Sequence, residues 1–303
     1  MSHRLSLVLV LSTTLGLANC PRQSKSPSRE LQGAINEAIA GQPGTIVVVS
    51  VTSQQVLASH NLELASAQLV RPESTLKPFV LLALLDSGKL DPSQHFLCKR
   101  PLYIGSIRMD CSHTTEIVEL DADDAIAYSC NSYISQAASR LGPRELVEAL
   151  RRAGLDSPTG LGKPEAAGHV NRLTTSEEIQ LAALGERGVE VTPLELLEAY
   201  RKLALRKRTE NTQLSKAVFE GLEHAITYGS AHAAYIDGMH IAGKTGTATA
   251  PNTARTHGLF VGYAPADQPE IALVVYLPQG HGLDAAKLAQ PVFAEYANFV
   301  NKR

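Results

Sequence analysis

Apolar residues recur every three or four positions across residues 29–40, and that spacing predicts a first helix. Two β-branched runs follow, 45–51 and 55–59, separated by a short polar turn, and these predict paired strands. The middle of the chain returns to helical periodicity over 74–87 and 122–140. Further on, Thr192-Pro193-Leu194-Glu195 has the form of a capping box with proline at the first helical position, so a helix running through Leu197, Tyr200 and Leu203 should begin there. The pattern then reverts to strands at 239–249, 257–263 and 271–277, with 264–269 supplying the last turn. A closing helix is expected over 285–301.

Strands at both ends with helices between them imply a mixed α/β (α+β) fold. Distant segments would assemble one antiparallel sheet, flanked by the N- and C-terminal helices, with residues 73–236 inserted as a mostly helical subdomain. At 303 residues the chain can bury such a core, and the cleft between sheet and insert is the expected place for a site.

Arg4 precedes an apolar stretch from Leu5 to Leu17, too short to span a bilayer comfortably, so residues 1–20 are read as an export signal. Leu17-Ala18-Asn19-Cys20 resembles a bacterial lipoprotein cleavage box, with Cys20 as the lipidated residue anchoring the protein to the membrane. Asn19 departs from the small residue usual there, and ordinary cleavage near Ala18 is the alternative. Residues 21–30 read as a flexible tether, and the mature protein is expected in the cell envelope. A net charge of -2 offers no footprint for nucleic acid, and the basic run Arg206-Lys207-Arg208 reads as a solvated helix end.

Cys98 and Cys111 flank a hairpin whose tip is Gly105-Ser106. A disulfide between them would suit an exported protein and contribute about 3 kcal/mol. Strict pairing about that tip sets Cys98 opposite His113, so the bridge needs a diagonal or bulged arrangement; two unrelated thiols are the alternative. Cys130 is expected to be unpaired, acting as a small buried apolar residue. The ten histidines show no His-Glu-x-x-His or comparable pair, so no metal and no other cofactor is expected.

Three short motifs bear on chemistry: Ser74-Thr75-Leu76-Lys77, Ser129-Cys130-Asn131 and Lys244-Thr245-Gly246. A serine hydroxyl attacks only when a base removes its proton, and Lys77 lies one helical turn from Ser74. Lys77 can be that base only when neutral, which burial and a nearby second cation, Lys244, would favour. A lysine within the apolar run that follows it needs such an explanation. Ser129 is placed to relay a proton to the leaving amine, and Asn131 to bond the substrate's peptide group. On an expected edge strand, Lys244 and Thr245 would hold a substrate carboxylate while Gly246 admits substrate backbone. Backbone donors at Ser74 and Thr247 would form an oxyanion hole.

The three motifs together resemble the set shared by penicillin-binding proteins and serine β-lactamases. Val191-Thr192-Pro193-Leu194-Glu195-Leu196 with Tyr200, and His257-Gly258-Leu259-Phe260-Val261-Gly262-Tyr263-Ala264-Pro265, resemble segments flanking the site in penicillin-binding transpeptidase domains. The resemblance covers residues 31–303 and implies a β-lactamase/transpeptidase-like fold. It further implies a serine acyltransferase acting on the D-Ala-D-Ala stem peptide of peptidoglycan and acylated by β-lactam antibiotics. Glu73 departs from the family, standing where a small residue is usual. The chain also lacks the length for the additional domains of larger members, so a free-standing catalytic module is expected.

A serine β-lactamase is the nearest alternative. Against it, no Glu-x-x-Leu-Asn segment lies between the second and third motifs, Cys130 stands where class A enzymes carry Asp, and the chain has no Trp. A non-enzymatic β-lactam sensor is a further alternative, disfavoured by the want of a second apolar span.

Overall fold

The computed structural model of the protein describes residues 27–209, 212–249 and 256–302. The export signal and the cleavage box at Cys20 lie outside the described residues. Strands β1 (Thr45–Ser50), β2 (Val56–His60), β3 (Ala242–Thr249), β4 (Thr256–Ala264) and β5 (Ile271–Leu277) form one wholly antiparallel sheet in the order β2-β1-β5-β4-β3. The sheet joins both ends of the chain, because β1 pairs with β5 from Thr45 opposite Tyr276 to Ser50 opposite Ile271.

Both faces of this sheet are covered, which explains why its central strands read as continuous apolar runs rather than alternating ones. Helices α1 (Ser28–Ala38) and α10 (Gly282–Asn301) pack on one face, with Leu31, Ile35, Phe293 and Tyr296 against Ile46, Val48, Phe260 and Val275. The opposite parity, Val47, Val49, Val261 and Val274, belongs to a second core shared with the insert. The first helix starts at Ser28, so the end of the stretch read as tether is already helical.

Helix α2 (Leu62–Ala67) follows β2 ahead of the insert, which comprises α3 (Lys77–Asp86), α4 (Ala122–Ala127), α5 (Asn131–Ala138), α6 (Pro143–Ala153), α7 (Ser176–Ala183), α8 (Pro193–Thr209) and α9 (Gln213–Thr227), with three two-stranded ladders. Helix α3 is buried around most of its circumference, from Lys77 to Leu82 and again at Leu84 and Leu85, as its unbroken apolar sequence requires. Thr192 and Glu195 make the expected reciprocal cap on α8: Glu195 Oε2 accepts from Thr192 N at 2.7 Å and Glu195 N donates to Thr192 Oγ1 at 3.1 Å.

The structure corrects several expectations. Residues 122–140 form two helices, because Ser129 adopts φ +56° and breaks the path between α4 and α5. The helix expected from Ser74 begins instead as a 3₁₀ turn, Glu73–Leu76, and becomes α-helical at Lys77. The basic run does end α8, but its charges are engaged. Arg206 pairs with Asp86 at 2.8 Å, Lys207 lies over the Phe219 ring at 5.1 Å, and Arg208 donates to Pro269 O at 2.7 Å. The hairpin at Gly105-Ser106 forms between Tyr103–Ile104 and Ile107–Arg108, yet Cys98 and Cys111 are free thiols with their Sγ atoms 3.6 Å apart.

Candidate active site

A cleft of about 800 Å³ opens between the β3 edge of the sheet and the insert, and all three motifs reach it. Ser74, Ser129, Asn131, Thr245 and Thr247 line it, with the buried Glu73 beside Ser74. Lys77 and Lys244 lie behind this wall, both wholly buried.

Ser74 occupies the 3₁₀ turn, in which residues three apart eclipse, so Ser74 and Lys77 share a side. That turn is braced from both layers of the fold. Tyr200 Oη, from α8, donates to Thr75 O at 2.9 Å, and its ring packs edge-on against Phe79 with centroids 5.4 Å apart. His257 Nε2, from β4, lies 3.1 Å from Arg71 O. The two flanking segments noted in the sequence therefore grip the nucleophile's turn from outside. Tyr200→Phe removes the donor to a buried carbonyl and is expected to cost about 1–3 kcal/mol. Thermal denaturation measures that loss, and a slower acylation of Ser74 should accompany it.

Gly246 also has a packing role. A Cβ there would stand 2.9 Å from Pro72 O and 3.2 Å from Thr75 Cγ2, so the missing side chain lets β3 press against the nucleophile's own turn. Glu73, at φ +51°, lies under the same pressure from the other side: a Cβ on Gly185 would come within 2.4 Å of its backbone. Burial, with Glu186 adding to it, pushes the Glu73 carboxyl well above the usual carboxylate range.

Lys77 is the hub joining the first two motifs. Its Nζ donates to Ser129 O at 2.7 Å, Ser129 Oγ at 3.1 Å and Asn131 Oδ1 at 2.6 Å, and none of these bonds goes to Ser74. The αL conformation of Ser129 turns that carbonyl out of the helical path and toward the amine. Asn131 is fixed from its other end, where Nδ2 donates to Met109 O at 3.0 Å and to Asp110 O at 3.3 Å. Burial lowers the Lys77 pKa to about 8, against a smaller opposing pull from Cys130, Cys111 and Glu73.

Lys244 is held well below the ordinary lysine range, first by burial and then by the charge of Lys77. The expected electrostatic influence therefore falls on Lys244, while desolvation dominates at Lys77. Lys244 Nζ donates to Ser230 Oγ at 3.3 Å, and Thr245 Oγ1 to Ser230 O at 3.3 Å. Ser230 lies in the cleft wall and had no motif to announce it. Thr247 Oγ1 accepts from Gly282 N at 2.8 Å, which ties the strand end to the start of α10.

One cluster was missed. Cys98, Cys111, His113 and Cys130 bring their ligand atoms within 4.8 Å of one another, immediately behind the second motif.

The family model of the penicillin binding protein transpeptidase domain matches residues 44–298, the whole sheet and insert. The chain belongs to this family. Among relatives, "Probable peptidoglycan D,D-transpeptidase PenA" of Neisseria flavescens is 26% identical, the match covering 86% of this chain and 76% of that protein. "Peptidoglycan D,D-transpeptidase MrdA" of Acinetobacter baumannii is 29% identical over a match covering 56% of this chain and 33% of that protein. The gonococcal and meningococcal PenA relatives are matched over 52% of their length, so the chain spans about half of these. In fold, the family member resembles the crystal structure of Pseudomonas aeruginosa PBP2 in complex with WCK 5153, with a TM-score of 0.77 at 23% identity, over 88% of this chain and 76% of that one. Among the described residues, no helix is long and apolar enough to cross a membrane.

Proposed function

We propose that the protein is a serine DD-acyltransferase of peptidoglycan, a DD-transpeptidase or DD-carboxypeptidase, and that β-lactams acylate the same serine. The observation carrying this reading is the buried amine of Lys77, three residues from a cleft-facing Ser74 and bonded to both polar residues of the second motif. No surface lysine on an amphipathic helix would be so placed.

In this reading Lys77, once neutral, keeps two of its three donor contacts and turns its lone pair to the Ser74 proton as Oγ attacks the carbonyl of the penultimate D-alanine. The tetrahedral oxyanion is held by the backbone N–H groups of Ser74 and Thr247. Ser129 passes a proton to the departing amine, the terminal D-alanine leaves, and an ester to Ser74 Oγ remains. An amine or water then takes the acyl group and returns the proton to the serine. Thr245, with Lys244 and Ser230 behind it, faces the substrate carboxylate, and Asn131 the stem's peptide group. The relatives' printed names as peptidoglycan transpeptidases support the substrate class.

Hydrolysis of a β-lactam requires a base to activate water at the acyl-enzyme, and the chain carries no Glu-x-x-Leu-Asn segment between the second and third motifs of the kind class A enzymes use for it. Acyl transfer is therefore favoured over rapid turnover. Intact-mass measurement after mixing with a penicillin should show an adduct of the full antibiotic mass persisting for hours. Return to the free mass within a few turnovers of mixing would make the protein a β-lactamase instead. We also place the mature protein in the cell envelope, anchored through lipidated Cys20; loss of membrane association in Cys20→Ala reads that directly.

A further inference from the structure

Three sulfurs and an imidazole converge behind the second motif. Cys98 Sγ is 3.6 Å from Cys111 Sγ and 3.6 Å from His113 Nε2, and Cys111 Sγ is 3.6 Å from Cys130 Sγ. A tetrahedral zinc ion with its usual bond lengths sets sulfurs ~3.8 Å apart and sulfur from nitrogen ~3.6 Å apart. We propose that Cys98, Cys111, Cys130 and His113 form a structural zinc site that locks the Ser129-Cys130-Asn131 motif in place.

Hydrogen bonding supplies a second and independent indication. Each sulfur has its own N–H donor: Arg100 Nε to Cys98 at 3.5 Å, Ser132 N to Cys111 at 3.4 Å, and Tyr133 N to Cys130 at 3.4 Å. Such donors stabilise the thiolate form that a metal-bound sulfur takes, and a cation among the three sulfurs is what would let them carry that charge in contact. Binding would release three thiol protons and leave the cluster with one net negative charge, which the Arg100 guanidinium offsets. With Nε2 on the metal, the His113 Nδ1 proton has Thr114 O at 3.0 Å as its acceptor, the outer partner that a ligating imidazole normally has. Arg100 Nη2, now 2.7 Å from Nδ1, would then rest on His113 O and Thr114 O, at 2.8 Å and 3.2 Å. The all-sulfur-and-nitrogen donor set favours zinc over the hard cations, and four protein ligands leave no open position for chemistry.

The placement gives the site its purpose. Cys130 caps α5 and sits between the two residues that bind Lys77, while Cys98, Cys111 and His113 come from the segment whose Met109 and Asp110 carbonyls hold Asn131. The ion would join these two segments covalently, so Cys130 is a positioning residue.

Native mass spectrometry of the full chain isolated from the envelope of an expression host should show one zinc per chain. The metal-free protein should bind Co(II) with the thiolate charge-transfer and d–d bands of tetrahedral S₃N coordination. Cys98→Ala and His113→Ala should each weaken zinc by at least about tenfold, and Cys98→His should restore it, which separates ligation from folding. Ser74→Ala should bind the same single zinc, so the metal claim stands or falls apart from the acyltransferase reading on which the positioning role rests. Chelation should slow penicillin acylation of the parent. A chain two hydrogens lighter with no zinc, or a metal-free chain that takes up neither ion, would overturn the proposal.

Discussion

Ser74→Ala should abolish covalent labelling by a fluorescent penicillin while leaving the far-ultraviolet circular dichroism and the thermal midpoint essentially unchanged. The two halves of this result come from different features. Loss of labelling follows because Oγ is the only atom proposed to bond to the acyl group. Retention of the fold follows because the turn is held by Tyr200 on Thr75 O, by His257 on Arg71 O and by Thr75 Oγ1 on Pro72 O, none of which uses the Ser74 hydroxyl. Removing one half-buried oxygen leaves no large cavity. In-gel fluorescence with a denaturation curve on the same preparation reads both halves, and surviving label would move the nucleophile elsewhere.

Lys77→Ala should reduce the acylation rate by roughly a hundred- to ten-thousand-fold, the range for removal of a general base. Unlike the serine variant, it should also destabilise the protein, since Ser129 O, Ser129 Oγ and Asn131 Oδ1 all lose their shared donor. The pH profile carries the sign. A neutral amine is the competent base, so the parent's acylation rate should climb as pH rises through about 8 and level off above it. The small residual rate of the variant should lack that limb. A parent profile flat across this range would remove Lys77 from the base role while leaving Ser74 as nucleophile.

Much of the architecture is legible in the sequence. Residues 271–277 read as a strand with the observed limits, and the strand carrying Lys244 lies at the sheet edge, as expected. These segments are apolar on both faces or sharply bounded by turns, so local pattern and tertiary burial agree. The helix break at Ser129 was not legible. Apolar recurrence from Ala122 to Ile134 continues across it, and a single residue in the left-handed region leaves that spacing nearly undisturbed. Nor did any spacing rule point to Ser230, which acts through its position under β3.

The cysteines show the same divide. The hairpin register about Gly105-Ser106 does not extend to Cys98, whose N donates to Val118 O, yet its sulfur still reaches Cys111 and His113, and Cys130 comes from the far side of the break at Ser129. Pairwise reasoning about a hairpin therefore favoured a disulfide, where the assembled structure offers four ligands around one point.

The linear sequence by itself determined the strands of the main sheet, several of the helices, the order of the three motifs and the family, because each of these depends on residues close together or on a pattern carried along one segment. Only the tertiary structure decided how the motifs meet: that Lys77 spends its hydrogen bonds on the second motif, that Gly246 yields its space to the nucleophile's turn, and that three thiols and an imidazole converge. The physical reason is that burial, close approach and ligand geometry are set by segments packed from distant parts of the chain, and local periodicity does not encode those distances.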